Sequence, residues 1–301
     1  MSLRIGTSGW NYPTGKGTWN GIFYPLPQDR ERGFDELRFY SERFDTVEVN
    51  STFYGQPRAI AALSWVKRTP ANFEFAVKMF QKFTHPNLAA DATPVTQADV
   101  DAFRAGIEPL AAAGKLGPLL LQFPTSFQRN QEAVDYVTWL LRAFGDYRLA
   151  VELRHRSWSD SPGTVALLDE HRAAWVQIDE PKFSSSIRQD LVGGNADFYY
   201  LRLHGRNAKQ WWDHAESEDR YNYLYSNEEL EPIAEVVREV RTIVRKAYLF
   251  LNNHFSAQAV ANAVTLKRML DEPITGRMPP ELIDRFPDLA GVPTLPRARL
   301  L

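Results

Sequence analysis

The chain has 301 residues, 44% hydrophobic and 24% charged, the composition of a folded globular protein and not of a disordered one. It contains no cysteine, which excludes disulfides, thiolate catalysis, zinc ribbons and cysteine-held iron–sulfur clusters. A formal net charge of −2 lacks the basic excess of a protein that grips nucleic acid over a broad face, although a local basic groove stays compatible with it.

The first residues, Met1 to Gly6, enter a strand pattern at once and lack the apolar core and cleavage site of a signal peptide. The longest apolar runs, such as 247–251, are too short to span a bilayer, so the expectation is a cytoplasmic protein with no membrane association. Short β-rich runs then recur at 5–8, 46–50, 73–78, 118–123, 149–154, 175–179, 198–204 and 247–252. Several are apolar nearly throughout, as parallel strands covered on both faces should be.

Helical patterns lie between them. A helix is expected from Pro57 onward through Ala59, Leu63 and Val66, and another with Thr93 as N-cap and Pro94 at its first position. Val134, Val137, Leu141 and Phe144 form a stripe at helical spacing, and after Pro232 so do Ile233, Val236, Val237, Val240, Ile243 and Val244. The crossover at 182–197, with three serines and Gly193-Gly194, reads as irregular, and 205–227 as a long polar and aromatic loop. The segment 271–301 is proline-rich and is expected to wrap the surface. Eight strand–helix units in one domain over 1–301 predict a single (β/α)8 TIM-type barrel. The alternative, an open doubly wound sheet, is disfavoured because Gly6-Thr7-Ser8-Gly9-Trp10 has neither the dinucleotide nor the P-loop spacing, so no flavin or nicotinamide motif is present.

The strands end in more polar residues than packing requires. Glu48 and Asn50, Lys78, Gln122, Glu152 and Arg154, Gln177 and Asp179, Arg202 and His204, and Asn252-Asn253 mark successive strand ends. Side chains two apart share a face. Such charges are expected at the open carboxyl end of a barrel, where barrel enzymes place their catalytic groups. The plainer alternative is that Glu48 with Lys78, or Glu152 with Arg202, simply satisfy one another. The neighbouring loops carry Trp10, Tyr12, Trp19, Phe23, Tyr24, Tyr54, Trp158, Trp211 and Trp212, which either stack a flat ligand or merely cover the barrel end. No two of the six histidines have the His-x-x-x-His zinc spacing, but Glu48, Glu152, Asp179, His155 and His204 leave room for a divalent metal.

These strand ends carry a resemblance. Gly6 to Trp10, Thr46 to Tyr54, Leu116-Gly117-Pro118 to Pro124, Glu152 to Trp158, Tyr200 to Gly205 and Asn252-Asn253-His254 with Asn262-Ala263 resemble, in order, the YecE-like family, the domain of unknown function numbered seventy-two. The resemblance implies a TIM-type barrel and a pocket at its carboxyl face, and no established activity. Two departures stand out. Phe80-Gln81 replaces a proline-basic pair, and His254 and Ala257 stand where the family often has an aspartate and a glycine.

The expected function is an enzyme, a hydrolase or isomerase, acting on a phosphorylated or nucleotide-like polar ligand by acid–base chemistry. Glu152 or Glu48 would be the base, His204 or His155 the acid, with Asp179 beside them. Lys78, Arg154 and Arg202 would hold an anion, and Trp10, Asn50, Tyr54, Gln122, Trp158, Asn252 and Asn253 would line the site. A metal-dependent phosphodiesterase or nucleic-acid-repair-like enzyme, and a non-catalytic binder of a small molecule or partner, are the alternatives.

Overall fold

The computed structural model describes residues 2–85, 93–189, 197–211 and 219–296. The strands are β1 Ser2–Thr7, β2 Thr46–Val49, β3 Glu74–Lys78, β4 Leu116–Gln122, β5 Leu149–Glu152, β6 Ala174–Trp175, β7 Gln177–Asp179, β8 Phe198–Leu203 and β9 Lys246–Leu251. The helices are α1 Glu36–Ser41, α2 Ala59–Arg68, α3 Gln81–Thr84, α4 Gln97–Ala112, α5 Gln131–Ala143, α6 Arg156–Ser159, α7 Gly163–Glu170, α8 Asn227–Ile243, α9 Gln258–Met269 and α10 Pro280–Arg285. This is an α/β fold of two parallel sheets, ordered β2-β3-β4-β5-β6 and β1-β9-β8-β7.

The sheets meet at two places. Ser8 and Glu48 form a parallel bridge, and the Gly9 amide donates to the Glu48 carbonyl at 2.8 Å. Gly6 permits this approach, because a Cβ there would lie 2.4 Å from the Thr46 carbonyl oxygen. The buried Tyr40 hydroxyl of α1 pins the same seam, accepting from the Thr7 amide at 2.9 Å and donating to the Thr46 carbonyl at 3.1 Å. At the other junction the single strand expected over 175–179 is two, β6 and β7, separated by Val176, whose amide donates to Val151. The count is therefore nine strands among the described residues, not eight.

Most strands start or end within two residues of the expected ranges because their apolar runs are long enough to define them: every residue of β2, β5 and β8 is buried. Helix starts differ more. Helix α4 begins at a capping box made by Thr96 and Asp99, not at Thr93-Pro94. Helix α8 begins at a second box, Ser226 with Glu229, so Pro232 lies inside it. Ile233, Val237 and Val240 are buried there, while Ile243 is 73% exposed and lies off the expected apolar face. In α2 the buried residue is Ala62, and Leu63 faces solvent. Met278, Leu282 and Leu289 of the C-terminal segment are buried, each stabilising by about 1.5–3 kcal/mol. Gly193-Gly194, Trp212 and His214 lie outside the described residues.

An ionic network closes the amino ends of the strands. Glu74, at the start of β3, accepts from Arg4 of β1 at 3.1 Å, Lys246 of β9 at 2.5 Å and the Tyr248 hydroxyl at 2.6 Å. Arg4 also pairs with Asp45 at 2.5 Å. Burial raises the Glu74 pKa, but these donors outweigh it and hold the carboxyl below its usual range.

Candidate functional site

At the carboxyl ends, residues of the same parity converge from both sheets. Glu48 (β2), Gln122 (β4) and Glu152 (β5) belong to the five-stranded sheet, and Tyr200 and Arg202 (β8) to the four-stranded one. The Arg202 guanidinium donates to Glu48 Oε1 at 2.7 Å, to Glu152 Oε2 at 2.6 Å and to Gln122 Oε1 at 3.0 Å. Tyr200 donates to Glu48 Oε2 at 2.7 Å, and Arg154 Nε to Glu152 Oε1 at 2.6 Å. Both oxygens of each carboxylate are thus engaged. Glu48, Glu152 and Arg202 are each at most 1% exposed, so the two sheets face each other across a sealed ion cluster. Burial opposes the charge on Glu152, but Arg202, Arg154 and His204 override it and its pKa lies well below the ordinary carboxylate value.

His204 sits directly above, fully buried and edge-on to Trp211. Its Nδ1 lies 2.9 Å from the Asn252 side-chain amide, and its Nε2 lies 3.3 Å from Arg154 Nη2 and 3.7 Å from Glu152 Oε1. Burial, reinforced by Arg202, pushes its pKa down to about 3, so the imidazole is neutral.

The next layer is not saturated. Lys78, partly exposed at the end of β3, has neither a hydrogen bond nor a carboxylate within ion-pair distance among the described residues; its ammonium lies 4.0 Å from the Phe53 ring centre. Burial, with Arg202 next, lowers its pKa to about 7. Glu180, just past β7, is buried, and its Oε2 has no hydrogen-bond partner although Arg154 Nη1 is 3.7 Å away. Burial raises its pKa above the usual value. His85, after α3, stands edge-on to Phe53 and is depressed to about 4 by burial and by Lys78. The Ser8 hydroxyl and Asn50 Oδ1 are also buried without partners. Glu180 and His85 were not expected as site residues. Glu180 shares a strand face with Ile178, but the break at Val176 that turns this face toward Arg154 has no mark in the sequence; His85 carries no local signal.

Other expected site residues are placed elsewhere. Asp179 turns to the opposite face of β7, where Arg206 holds it bidentately at 2.9 and 2.7 Å and Tyr225 donates at 2.7 Å. Gln177 points the same way and donates to the Trp175 carbonyl. The break at Val176 resets which residues face inward. His155 caps α6, its Nδ1 accepting from the Ser157 amide at 3.2 Å. Asn253 bonds the Tyr223 carbonyl and Asn262, clamping the segment before α8. Much of the aromatic rim is core: Trp19, Phe23, Tyr24, Trp158 and Trp211 are all at most 3% exposed. Trp158 donates to the Phe127 carbonyl and Trp19 to the His254 carbonyl, so their polar edges are satisfied indoors. Trp10 packs edge-on to Trp65, whereas Tyr54 is 77% exposed. Among the described residues no group of three or more His, Cys, Asp or Glu is placed to hold a metal ion. None of the described helices is long and apolar enough to cross a membrane.

Known proteins place this arrangement in a family. The model of the family described as "Protein of unknown function DUF72" matches residues 4–283. The UPF0759 protein YunF of Bacillus subtilis is 29% identical over 288 residues, covering 93% of this chain and 99% of YunF. The UPF0759 protein YecE of Escherichia coli K12 is 28% identical over 124 residues, 41% of this chain and 43% of YecE. A crystal structure of a DUF72 family protein from Thermotoga maritima superposes with a TM-score of 0.76 at 35% identity, covering 90% of this chain and all of that one. One from Enterococcus faecalis superposes at 0.77 with 22% identity, covering 92% of this chain and 99% of its own, a likeness of fold.

Proposed function

This chain belongs to the DUF72 family, and for this member we propose an enzyme that moves protons on a small phosphorylated or otherwise anionic polar ligand bound at the carboxyl ends of the strands. In this reading the two sheets form one (β/α)8 barrel, with β6 and β7 a single stave broken at Val176 and the Ser8–Glu48 bridge as the seam. The observation that carries the reading is the contrast between two layers. Below, Arg202, Arg154 and Tyr200 take up both oxygens of Glu48 and of Glu152, with Arg202 Nε left over; above, the buried Glu180 Oε2 and the half-buried Lys78 Nζ have no hydrogen bond among the described residues. Native proteins rarely leave buried polar atoms unpaired, so such atoms mark places where a ligand completes the set.

The roles follow from chemistry. A general base needs a free lone pair and a pKa near the working pH. Glu152 has neither, since Arg202 and Arg154 take both oxygens and hold it ionised. Glu180 has an unpartnered Oε2 and a pKa raised by burial, and Lys78 a pKa lowered to about 7, so the two are moved from opposite sides. Arg154, fixed through Nε by Glu152 and partly exposed, is the anchor for an anion. Between Glu48 and Glu152, Arg202 occupies the position a bridging divalent cation would need, which favours proton transfer over the metal-dependent reading.

The test is a thermal-shift screen of sugar phosphates and nucleotides, followed by turnover of any stabilising compound. Glu180→Gln should keep the shift and lose turnover by about 10²-fold or more. A compound that stabilises but is never consumed would make the protein a binder, and full turnover by Glu180→Gln would remove Glu180 from the chemistry.

A further inference from the structure

Lys78 differs from the other cations of the site. Arg154 and Arg202 are tied to carboxylates within 2.7 Å, as is Arg206 outside it. Lys78 faces the same carboxylates only at a distance, lies against the Phe53 ring and keeps some solvent contact. An amine held on a ring face beside two fixed guanidinium groups is poor as an electrostatic clamp and good as a nucleophile, because a large share of it is neutral. His85 is close enough to Lys78 to feel its charge, and Glu180 Oε2 lies 3.7 Å from Arg154 Nη1, so an acid–base group stands beside each of the two cations.

We propose that Lys78 is a nucleophile that forms an imine with a small aldehyde or ketone bearing an anionic group, which Arg154 holds. The proposal rests on the reading of this layer as the active site and names its substrate class. The Nζ lone pair attacks the carbonyl carbon, a C–N bond forms, and the carbonyl oxygen takes a proton. The resulting carbinolamine loses its hydroxyl as water after a second protonation, while nitrogen gives up a proton to the same acid–base groups. No oxidant or reductant is consumed. The protonated imine then draws electrons from the adjacent carbon, so proton removal or carbon–carbon cleavage there is the class of reaction that follows.

The burial that depresses the Lys78 pKa to about 7 sets the size of the expected effect. At pH 7 an ordinary lysine is less than about a thousandth free amine, whereas one titrating near 7 is about half free. Lower basicity gives back part of that advantage in nucleophilicity. The experiment treats the full chain at pH 7 with glycolaldehyde phosphate and cyanoborohydride, which reduces an imine to a stable secondary amine, and maps the adduct by peptide mass spectrometry. We expect Lys78 to be labelled about tenfold or more over any other lysine, with inorganic phosphate slowing the labelling. Labelling spread evenly over the lysines, or none at Lys78, overturns the imine. Labelling of Lys78 equally well by unphosphorylated glycolaldehyde overturns the anion anchor. Because the readout is on unmodified protein, a folding defect cannot mimic either result. Lys78→Arg adds the separation from the wider reading: it should still be stabilised by the same phosphate probe yet trap nothing at position 78. If phosphate stabilises neither protein while Lys78 is still trapped, the anionic-ligand reading fails and the imine stands.

Discussion

The two ends of the strands carry ionic networks of similar make-up and opposite character. At the amino ends, Glu74 spends both oxygens on Arg4, Lys246 and Tyr248, and three strands are tied together. At the carboxyl ends, Arg202 ties Glu48 to Glu152 just as firmly, but Lys78 and Glu180 are left over a step further out. Burying a charge without a partner costs several kcal/mol, and folding does not demand it where a pair would do. At the amino end Arg4 Nε and Asp45 Oδ1 lack hydrogen bonds, but each charged group of the network has an opposite charge within 3.1 Å, as stability alone would build it. The carboxyl end is the same device with an unsatisfied layer added, and that layer is where a function must be sought.

The sharpest way to break this comparison is to remove Arg202. Arg202→Met would leave Glu48 buried with no cation and Glu152 with Arg154 alone, and should lower unfolding stability by about 3–5 kcal/mol in urea titrations at pH 7. A loss under about 1 kcal/mol would mean the cluster is not sealed. The pH dependence has a definite sign. Glu152 has a folded pKa well below its unfolded value of about 4.3, so its contribution is complete above that pH and drains away as pH falls toward the folded value. Wild type should therefore lose more stability than Arg202→Met between neutrality and acid.

At the other end, Glu74→Gln should cost about 1–3 kcal/mol, since it leaves Arg4 and Lys246 short of a carboxylate, and should not alter any ligand-induced thermal shift. A change in ligand response would join the two ends into one functional unit. Lys78→Met separates the layers by pH. With a folded pKa of about 7 against about 10.4 unfolded, the unfolded chain binds the extra proton between those values, so wild-type stability gains from this group as pH rises from 7 to 10. The variant should lack that gain; a slope equal to wild type would show that the amine is not depressed. The smallest effect concerns Ala257, which holds a left-handed conformation at φ 61° where the family resemblance offers glycine. Ala257→Gly should stabilise by about 0.5–1 kcal/mol, the left-handed strain exceeding the entropy that glycine adds to the unfolded chain, and no gain in melting temperature would show that packing has already absorbed the strain.

Much of this was legible in the chain. The apolar runs located the strands, and the spacing of Glu48, Gln122, Glu152, Arg154, Arg202 and His204 on strands of one parity foretold their meeting. What failed did so for local reasons. The interruption at Val176 shifts parity, so Glu180 rather than Asp179 reaches Arg154, and nothing in the sequence marks that interruption. Residue type does not say which way a ring faces, so the sequence leaves the aromatic residues open between stacking a ligand and covering the barrel end. Trp19 and Trp158 go inside since each indole finds a carbonyl there. Thr93-Pro94 and Thr96 both look like helix starts, and only the reciprocal bond with Asp99 separates them. That Lys78 is unpaired could not be read from its neighbours in sequence, because the partners it lacks come from other strands.

The seal formed by Glu48, Glu152, Tyr200 and Arg202 has a kinetic corollary. It makes the site a cul-de-sac. On the proposed reading a ligand would enter and leave on the carboxyl side alone, so product would have to depart before the next molecule arrived.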